Sequence, residues 1–594
     1  MAKKRIAMIT ALVLVVFLYF LCAPVLAKPK IAVFSGQTAT IQNSLPLVTS
    51  NKAREKHGIP LLTLQDKSPI RFDHLVPQRL AAPVEVLIEQ FSAHPLEKDA
   101  AELYGPPDGY VDKDGVFHEQ RQSPDDKPVY KATLGPEDGV YLLPYMALQA
   151  NGKSWDGNGA FRFAPPEKSR QTFYPDASRL FEEIDRGIHG RGEMGVANAL
   201  VEKANYDFYR VIPSGGYRKG LPEAERTDVG TGDIPPEVHG VDFVPYGPPG
   251  HGKVPNKAHF AKSVNIVNSA LKSGNYVGGI WLEGSPNIEE DLYWLNLLVD
   301  TTIPIAGNAA QRVYGKLSSD GAANIVDSVK YILSKVWADE GGRDALGAVG
   351  IQDQKIFASR QFQKSDARPG GYSPTGEHGG VLGTMGIRDH SVPTIWFRPT
   401  TRFTWKSAVN LSQLPESVKG VRKVDGNLTH VEVAVKDSKG LLRAEAIPEV
   451  TSVKISVYIQ ESVEDNPEWE VEIFARVEKN LKDFPLAGFV AEGLAPYGYV
   501  SNSMQKALDF ATLNGMPVVK VGRGNAGGIV PDLPFDLNIE GSNLTATKAQ
   551  ILLMAALLKF GSLPPAADPR NPTPDEIKAI RAKVRQYQEV FDTH

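Results

Sequence analysis

The chain has 594 residues, a length that predicts about three or four structural units. Hydrophobic residues make up 42% and charged residues 23%, which is the composition of a globular protein with a substantial core. The net charge of −4 gives no support for a nucleic-acid-binding protein, because such proteins usually present a strongly basic face.

The N-terminus has the pattern of an export signal. Basic residues at 3–5 precede an apolar run at 6–21, and small residues at 25–27 predict cleavage after Ala27. An uncleaved membrane anchor is the alternative, because the run is almost long enough to span a bilayer. Cys22 is the only cysteine, so the cleaved protein would have neither disulfides nor thiolate metal sites. We predict a periplasmic protein with no stable membrane partner after cleavage.

The composition and the secondary-structure pattern change twice along the next part of the chain. Residues 30–34 (KIAVF), followed by Ser35-Gly36, predict a buried parallel strand that enters a loop. Residues 60–250 are rich in Gly, Pro and charges, and we expect an elaboration that is part helical and part loop. From residue 259 strand and helix patterns alternate, which is typical of a parallel sheet covered on both faces. A β-rich stretch follows at about 390–460, and α/β alternation returns after it.

The sequence after residue 259 predicts five strands and six helices. Strands are predicted at 276–282, 303–306, 348–351, 486–490 and 517–521, and helices at 260–271, 288–299, 322–336, 501–513, 545–560 and after Pro574. Ser319 or Asp320 is expected to cap the helix at 322–336.

Several motifs resemble those of the bacterial L-asparaginase and glutaminase-asparaginase family, and they occur in the family's order. Residues 305–312 (IAGNAAQR) and 318–325 (SSDGAANI) are similar to its Gly-Ala-Met-Arg-Pro turn and Ser-Ala-Asp-Gly-x-x-Asn-Leu helix start. Residues 360–365 (RQFQKS) resemble its Arg-Asp-Val-x-Lys-Thr segment, 379–383 (GGVLG) its Gly-Pro-Leu-Gly loop, and 501–520 its C-terminal helix and Pro-Val-Val-Arg strand.

This resemblance implies a fold and its boundaries. It implies a larger N-terminal, flavodoxin-like α/β domain with a parallel sheet and a smaller C-terminal α/β domain. The signal peptide would occupy 1–27, the first domain 28–390 with the insertion at about 60–250, a partly β linker 391–450, and the second domain 451–594. Family members complete their sites across a subunit interface, which implies a homo-oligomer.

The loop after the first strand resembles the family's Thr-Gly-Gly-Thr-Ile-Ala loop, which carries the attacking threonine. Here it reads SGQTATI, and Thr38 takes the place of the nucleophile, with Gly36 and Gln37 expected against the substrate. Open α/β sheets place ligands at this position. A turn threonine without catalytic function is the alternative, and Thr40 would be the nucleophile in a shifted register.

A second motif, residues 283–290 (EGSPNIEE), resembles the family's His-Gly-Thr-Asp-Thr-x-Glu-Glu segment. Ser285 preserves its hydroxyl, and the resemblance implies that Gly284 and Asn287 bind substrate. Pro286 stands where the family has the aspartate that binds the substrate's α-amino group, and proline carries no charge. Alternatively, Ser285 and Pro286 are the N-cap and first-turn proline of the following helix.

Lys364 corresponds to the family lysine beside this second hydroxyl. A partly desolvated lysine can accept a proton and supply a positive field, although most lysines lie on the surface. His251 is a further substrate-binding candidate, with Lys253 as the alternative, because the resemblance implies that the family's substrate-carboxylate loop falls near residues 250–253. No His-Glu-x-x-His cluster and no glycine-rich nucleotide loop occur, so we predict neither a metal nor a cofactor.

Together these residues predict an asparaginase-type amidohydrolase. It would hydrolyse the side-chain amide of L-asparagine or a related small-molecule amide to the acid and ammonia, with Thr38, Ser285 and Lys364 as catalytic residues. The alternative is a catalytically silent relative that binds a ligand or a partner, and Pro286 favours it. The hydrolase requires that the three side chains lie together.

Overall fold

This computed structural model describes part of the chain, and every structural statement refers to that part. Several of the candidate residues from the sequence lie outside it. It comprises residues 28–36, 84–88, 108–112, 116–134, 171–172, 181, 184, 200, 203–210, 243–244, 257–285, 287–312, 318, 320–368, 370–375, 380–386, 392–455, 466–524 and 536–594. The predicted export signal, Gln37, Thr38, Thr40, His251 and Pro286 lie outside these residues. Within them, no helix is both long and apolar enough to cross a membrane.

Strands and helices are numbered here in chain order. The strands are β1 (Lys30–Ser35), β2 (Val84–Ile88), β3 (Gly109–Val111), β4 (Phe117–His118), β5 (Lys127–Leu134), β6 (Gln171–Thr172), β7 (Asn205–Arg210), β8 (Phe243–Val244), β9 (Gly278–Leu282), β10 (Ile305–Asn308), β11 (Val349–Gln352), β12 (Lys355–Ala358), β13 (Phe362–Lys364), β14 (Tyr372–Pro374), β15 (Val381–Thr384), β16 (Thr394–Ile395), β17 (Ser417–Val424), β18 (Asn427–Ala434), β19 (Glu449–Lys454), β20 (Ala487–Gly493), β21 (Val518–Gly522) and β22 (Ile539–Glu540). The helices are α1 (Lys257–Lys272), α2 (Ile288–Leu298), α3 (Gly321–Ser334), α4 (Val471–Asp483), α5 (Asn502–Leu513), α6 (Ala546–Phe560) and α7 (Pro574–Thr593).

One large sheet organises the N-terminal part. Its eight strands lie in the order β16-β15-β12-β11-β10-β9-β1-β7. The five strands from β11 to β7 run parallel, and the other three add an antiparallel edge. In β1, every residue after Lys30 is buried, because helices and loops cover both faces of a central parallel strand. The sheet is therefore mixed but dominated by parallel strands, in agreement with the α/β class expected from the sequence.

A second, four-stranded parallel sheet organises the C-terminal part. Its order is β19-β20-β21-β22, and the hairpin β17-β18 precedes it in the stretch predicted to be β-rich. One apolar core includes Leu292 of α2 and Leu552 of α6, so it joins helices of both sheets. A second core lies under α3, and a third lies under α4 and α5.

The sequence did not predict a strand that completes the large sheet. Residues 60–250 are expected to be helix and loop, yet β7 pairs in parallel with β1 along its full length, from Asn205 to Arg210. Asp207 makes this strand hard to predict from the sequence, because aspartate is uncommon in β-strands. The structure accommodates it with the hydroxyl of Tyr276 and the ammonium of Lys30, each 2.7 Å from Asp207 Oδ2.

Lys520 on β21 makes stability depend on pH. Its Nζ donates to Gln505 Oε1 at 2.8 Å, and burial lowers its pKa to about 8. An unfolded lysine titrates near pH 10.4. As the pH rises, the folded protein therefore loses this proton at a lower pH than the unfolded chain does. The unfolding free energy should consequently rise between about pH 8 and pH 10.

The substitution Lys520→Met should flatten this rise by about 2–3 kcal/mol, because methionine has no proton to lose. Urea unfolding of both proteins at pH 7 and pH 10 measures the effect. Identical pH slopes in the two proteins would contradict the assignment.

Candidate functional site

The carboxyl ends of three neighbouring strands meet at one edge of the large sheet. Ser35 of β1 and Asn308 of β10 both pair with Leu282 of β9. The Gly36 N–H donates to the Leu282 carbonyl at 2.8 Å, and the Glu283 N–H donates to the Asn308 carbonyl at 3.1 Å. The loops after these strands therefore begin side by side, at the edge where open α/β sheets bind ligands.

Ser285 and Lys364 are in direct contact at this edge. Lys364 Nζ lies 2.7 Å from Ser285 Oγ, and only 7% of Ser285 is exposed. Lys364 is the last residue of β13, which pairs with β14. Its backbone N–H donates to Glu289 Oε1 on α2 at 2.8 Å, which fixes the lysine backbone against the helix that follows Ser285. Two of the three predicted catalytic groups are thus together.

The β13-β14 hairpin also forms a wall beside the Ser285 loop. The Tyr372 ring stacks on Phe362 with the ring centroids 4.7 Å apart. The Tyr372 hydroxyl donates to the Ser285 carbonyl over a long 3.5 Å. Burial raises the pKa of Tyr372 well above its ordinary value, so its hydroxyl stays protonated and remains a donor.

Gly284 and Asn287, both predicted to bind substrate, have different environments. The Gly284 N–H donates to Glu283 Oε1 at 2.9 Å, so this N–H is engaged within the protein. Asn287, and not Ser285, occupies the N-cap position of α2, and its side chain makes no capping hydrogen bond. Its Nδ2 is buried and has no hydrogen-bond partner among the described residues. Asn287 therefore has a donor that is free within that part of the chain, and it lies two positions after Ser285 in the sequence.

A buried lysine that the sequence analysis missed lies behind the pair. Lys548 on α6 is 1% exposed, and its Nζ donates to the carbonyls of Glu289 at 2.6 Å and Ser359 at 2.9 Å. Burial lowers the pKa of Lys548, while the carboxylates of Glu289 and Glu290 act in the opposite direction. No local signal in the sequence marks it, since lysines are mostly exposed.

Three buried titratable groups form a second cluster at the same edge. His259 Nε2 lies 2.8 Å from Asp291 Oδ2, and Glu283 joins them with one donor atom from each residue within 4.8 Å of the others. Burial lowers the pKa of His259 to about 4 and raises that of Asp291 to about 8. Ligand spacing along the sequence does not reveal this cluster, because its residues come from three separate elements.

Gly36 is required by this packing. A Cβ atom added at Gly36 would lie 1.7 Å from Glu283 Oε2 and 3.1 Å from Trp281 Cζ2. The substitution Gly36→Ala should therefore lower the unfolding free energy by about 1–3 kcal/mol, since a buried neighbour must move.

Denaturant unfolding checks the Gly36 prediction. Gly341→Ala is the control, because its nearest contact would be a side-chain oxygen of Asp339 at 3.3 Å, against 1.7 Å at Gly36. Equal losses in the two variants would show that Gly36 is not held against Glu283.

Asp320 and Arg360 lie in segments that resemble the asparaginase motifs, and each makes hydrogen bonds that the sequence does not predict. The sequence predicts Asp320 as a helix cap, and it occupies that position, but without a capping hydrogen bond. Its carboxylate instead accepts the Gln311 N–H at 2.9 Å and Gln352 Nε2 at 3.0 Å, because these polar groups at the sheet edge compete for it. Arg360, which precedes Lys364 in its motif, is buried and donates to the His594 carbonyl at 2.7 Å.

Comparison with solved structures gives a distant likeness. No protein-family model matches the chain. Among solved structures, the chain is similar to the crystal structure of a probable cytoplasmic L-asparaginase from Campylobacter jejuni. The two are 17% identical, the match covers 58% of this chain and 88% of that chain, and the TM-score is 0.40.

Proposed function

We propose that this chain is an asparaginase-type amidohydrolase that converts a side-chain amide to the acid and ammonia. The contact of 2.7 Å between Lys364 Nζ and Ser285 Oγ carries the proposal. A hydroxyl beside an amine is one of the arrangements that activate a nucleophile for acyl transfer. The pair lies at the carboxyl end of parallel strands, which is the edge where open α/β sheets bind ligands.

The mechanism assigns one step to each group. Thr38, placed by its sequence resemblance alone, attacks the amide carbon while Lys364 takes the proton through the Ser285 hydroxyl. The Asn287 side-chain amide donates a hydrogen bond to the oxyanion. Lys364 then returns the proton to the departing nitrogen, which leaves as ammonia. Water hydrolyses the acyl-threonine by the same proton route and restores the enzyme.

The substrate is a small amide, and its recognition differs from that of the resembled family. Pro286 cannot bind an α-amino group as an aspartate would. A buried polar partner that is lost changes specificity sharply. We therefore propose activity on L-asparagine or on a related amide that need not carry an α-amino group. A periplasmic location and a homo-oligomer are proposed from the sequence alone.

Ammonia release from a panel of amides tests the function. The panel contains L-asparagine, L-glutamine and succinamate, which lacks the α-amino group. Ser285→Ala should lose at least about a hundredfold in rate. Ser334→Ala is the matched control, because its Oγ donates to the Tyr331 carbonyl and accepts the Val336 N–H, both at the end of α3. Correctly folded protein that releases no ammonia from any of these amides would contradict the proposal.

Thr38 needs a separate experiment. If Thr38 forms the acyl intermediate, Thr38→Ala abolishes both turnover and the mass increase seen when the protein is quenched with substrate. Unchanged ammonia release would remove Thr38 from the mechanism and would leave Ser285 as the attacking hydroxyl.

One observation favours a second function, that of a catalytically silent binding protein. The Gly284 N–H is held by Glu283 at 2.9 Å, and so it donates within the protein. Together with Pro286, this suits a pocket that holds a ligand without turning it over. Calorimetric binding of L-asparagine or succinamate without ammonia release would establish this function, and turnover would exclude it.

The oxyanion role of Asn287 gives a prediction of its own. Asn287→Ala should lower kcat by about 10²–10³-fold and leave KM nearly unchanged, because the hydrogen bond strengthens in the transition state. Steady-state kinetics on the best amide of the panel measures this split. A rise in KM with constant kcat would assign Asn287 to ground-state substrate binding instead.

A further inference from the structure

We propose that His259, Glu283 and Asp291 bind one divalent transition-metal ion of the Zn²⁺ class. Each ligand comes from a different element, which fixes the site in the fold. His259 lies in the first turn of α1, Glu283 follows β9 directly, and Asp291 lies in the first turn of α2. This site is separate from the hydroxyl–lysine pair and does not depend on the proposed amidohydrolase activity.

The donor set and its spacing suit such a cation. One imidazole nitrogen and two carboxylate oxygens are ligands that zinc accepts, with a fourth position for water. The donor atoms all lie within 4.8 Å of one another. A tetrahedral ion with metal–ligand distances of about 2.0–2.2 Å holds its donor atoms about 3.3–3.6 Å apart, so the side chains must shift by about an ångström to bind it. His259 Nε2 and Asp291 Oδ2 are 2.8 Å apart, and the ion would replace the hydrogen bond between them.

Burial makes a cation favourable at this position. All three side chains are 0% exposed, and two carboxylates without a cation cost free energy in such an interior. Among the described residues, His259 is the basic group within ion-pair distance of Asp291. The second carboxylate oxygen of Asp291, Oδ1, is buried and has no hydrogen-bond partner in that part of the chain. A metal ion at this position would give that oxygen a partner.

The Trp281 indole provides an independent indication of a ligand. Its ring centroid lies 6.1 Å from that of His259. Its Cζ2 and Glu283 Oε2 both face the Cβ position of Gly36, at 3.1 and 1.7 Å, so the indole borders the cluster. The buried Trp281 N–H has no acceptor among the described residues. A water on the fourth coordination position of the metal would supply one.

Zinc titration tests the site directly. Chelator-treated protein is titrated with ZnSO₄ in a calorimeter, and bound zinc is counted after dialysis by mass spectrometry. One zinc per chain is expected, and His259→Gln and Asp291→Asn should each weaken binding at least about tenfold. His594→Gln is the matched control, because this buried histidine accepts the Ala408 N–H at 2.9 Å outside the cluster. Its zinc affinity should equal that of the unsubstituted protein.

A second measurement uses the unsubstituted protein, and it decides the question if circular dichroism shows that the variants do not fold. X-ray absorption of the zinc-loaded, unsubstituted protein should show one imidazole and only oxygen donors besides it. Zinc without an imidazole ligand, or no saturable zinc binding, overturns the proposal. Equal affinity in a folded His259→Gln variant overturns it as well. None of these readouts is ammonia release, so failure here leaves the amidohydrolase proposal untouched.

Discussion

Lys364→Met should lower kcat/KM for ammonia release by about 10³–10⁴-fold. Methionine fills a similar volume but can neither accept a proton nor contact Ser285 Oγ, which Lys364 Nζ approaches to 2.7 Å. The backbone N–H of residue 364 still donates to Glu289 Oε1, so the hairpin should stay in place. Steady-state ammonia release, with circular dichroism as a check on folding, measures the loss.

Two further variants make this prediction specific. Lys355→Met removes an exposed lysine at the start of β12, and it should keep full activity. Lys364→Arg should not restore activity, because a guanidinium remains charged and cannot accept the proton. Activity within about threefold of the unsubstituted protein in Lys364→Met would show that the hydroxyl–lysine contact is structural only.

Local sequence patterns predicted the framework that positions this pair. The apolar run at Lys30–Ser35 and the helical periodicity of Ile288–Leu298 depend on burial of neighbouring residues, which a sequence window contains. The ends of strands follow from the same patterns, and so Ser285 was expected at the sheet edge. That Lys364 reaches it was implied by the family resemblance, since no local pattern joins residues from two distant segments.

Features that depend on tertiary packing were not predictable. His259, Glu283 and Asp291 show no ligand spacing along the chain, because α1, β9 and α2 bring them together only in the folded state. The partners that allow Asp207 to be buried in β7, Tyr276 and Lys30, come close to it only in the folded state. Burial of Lys548 required the packing of α6 against α2, which no sequence pattern shows.

Lys548→Met should lower the unfolding free energy by about 3–5 kcal/mol and reduce activity with it. The Lys548 ammonium is the donor to the carbonyls of Glu289 and Ser359, and it offsets the buried charge of Glu290. Removing one partner of such a buried set leaves the others uncompensated. Because Glu289 also accepts the Lys364 N–H, its displacement should move the catalytic amine. Urea unfolding and ammonia release measure the two effects.

Lys559→Met on the same helix is the control for this prediction. Lys559 is only partly buried and its Nζ donates to a single carbonyl, that of Gln413, so its loss should cost about 1 kcal/mol or less. A double-mutant cycle of Lys548→Met with Glu289→Gln should show a coupling of at least about 1 kcal/mol, since the ammonium compensates this carboxylate. Additive losses would show that Lys548 acts through packing alone, and that α6 stabilises the site without its charge.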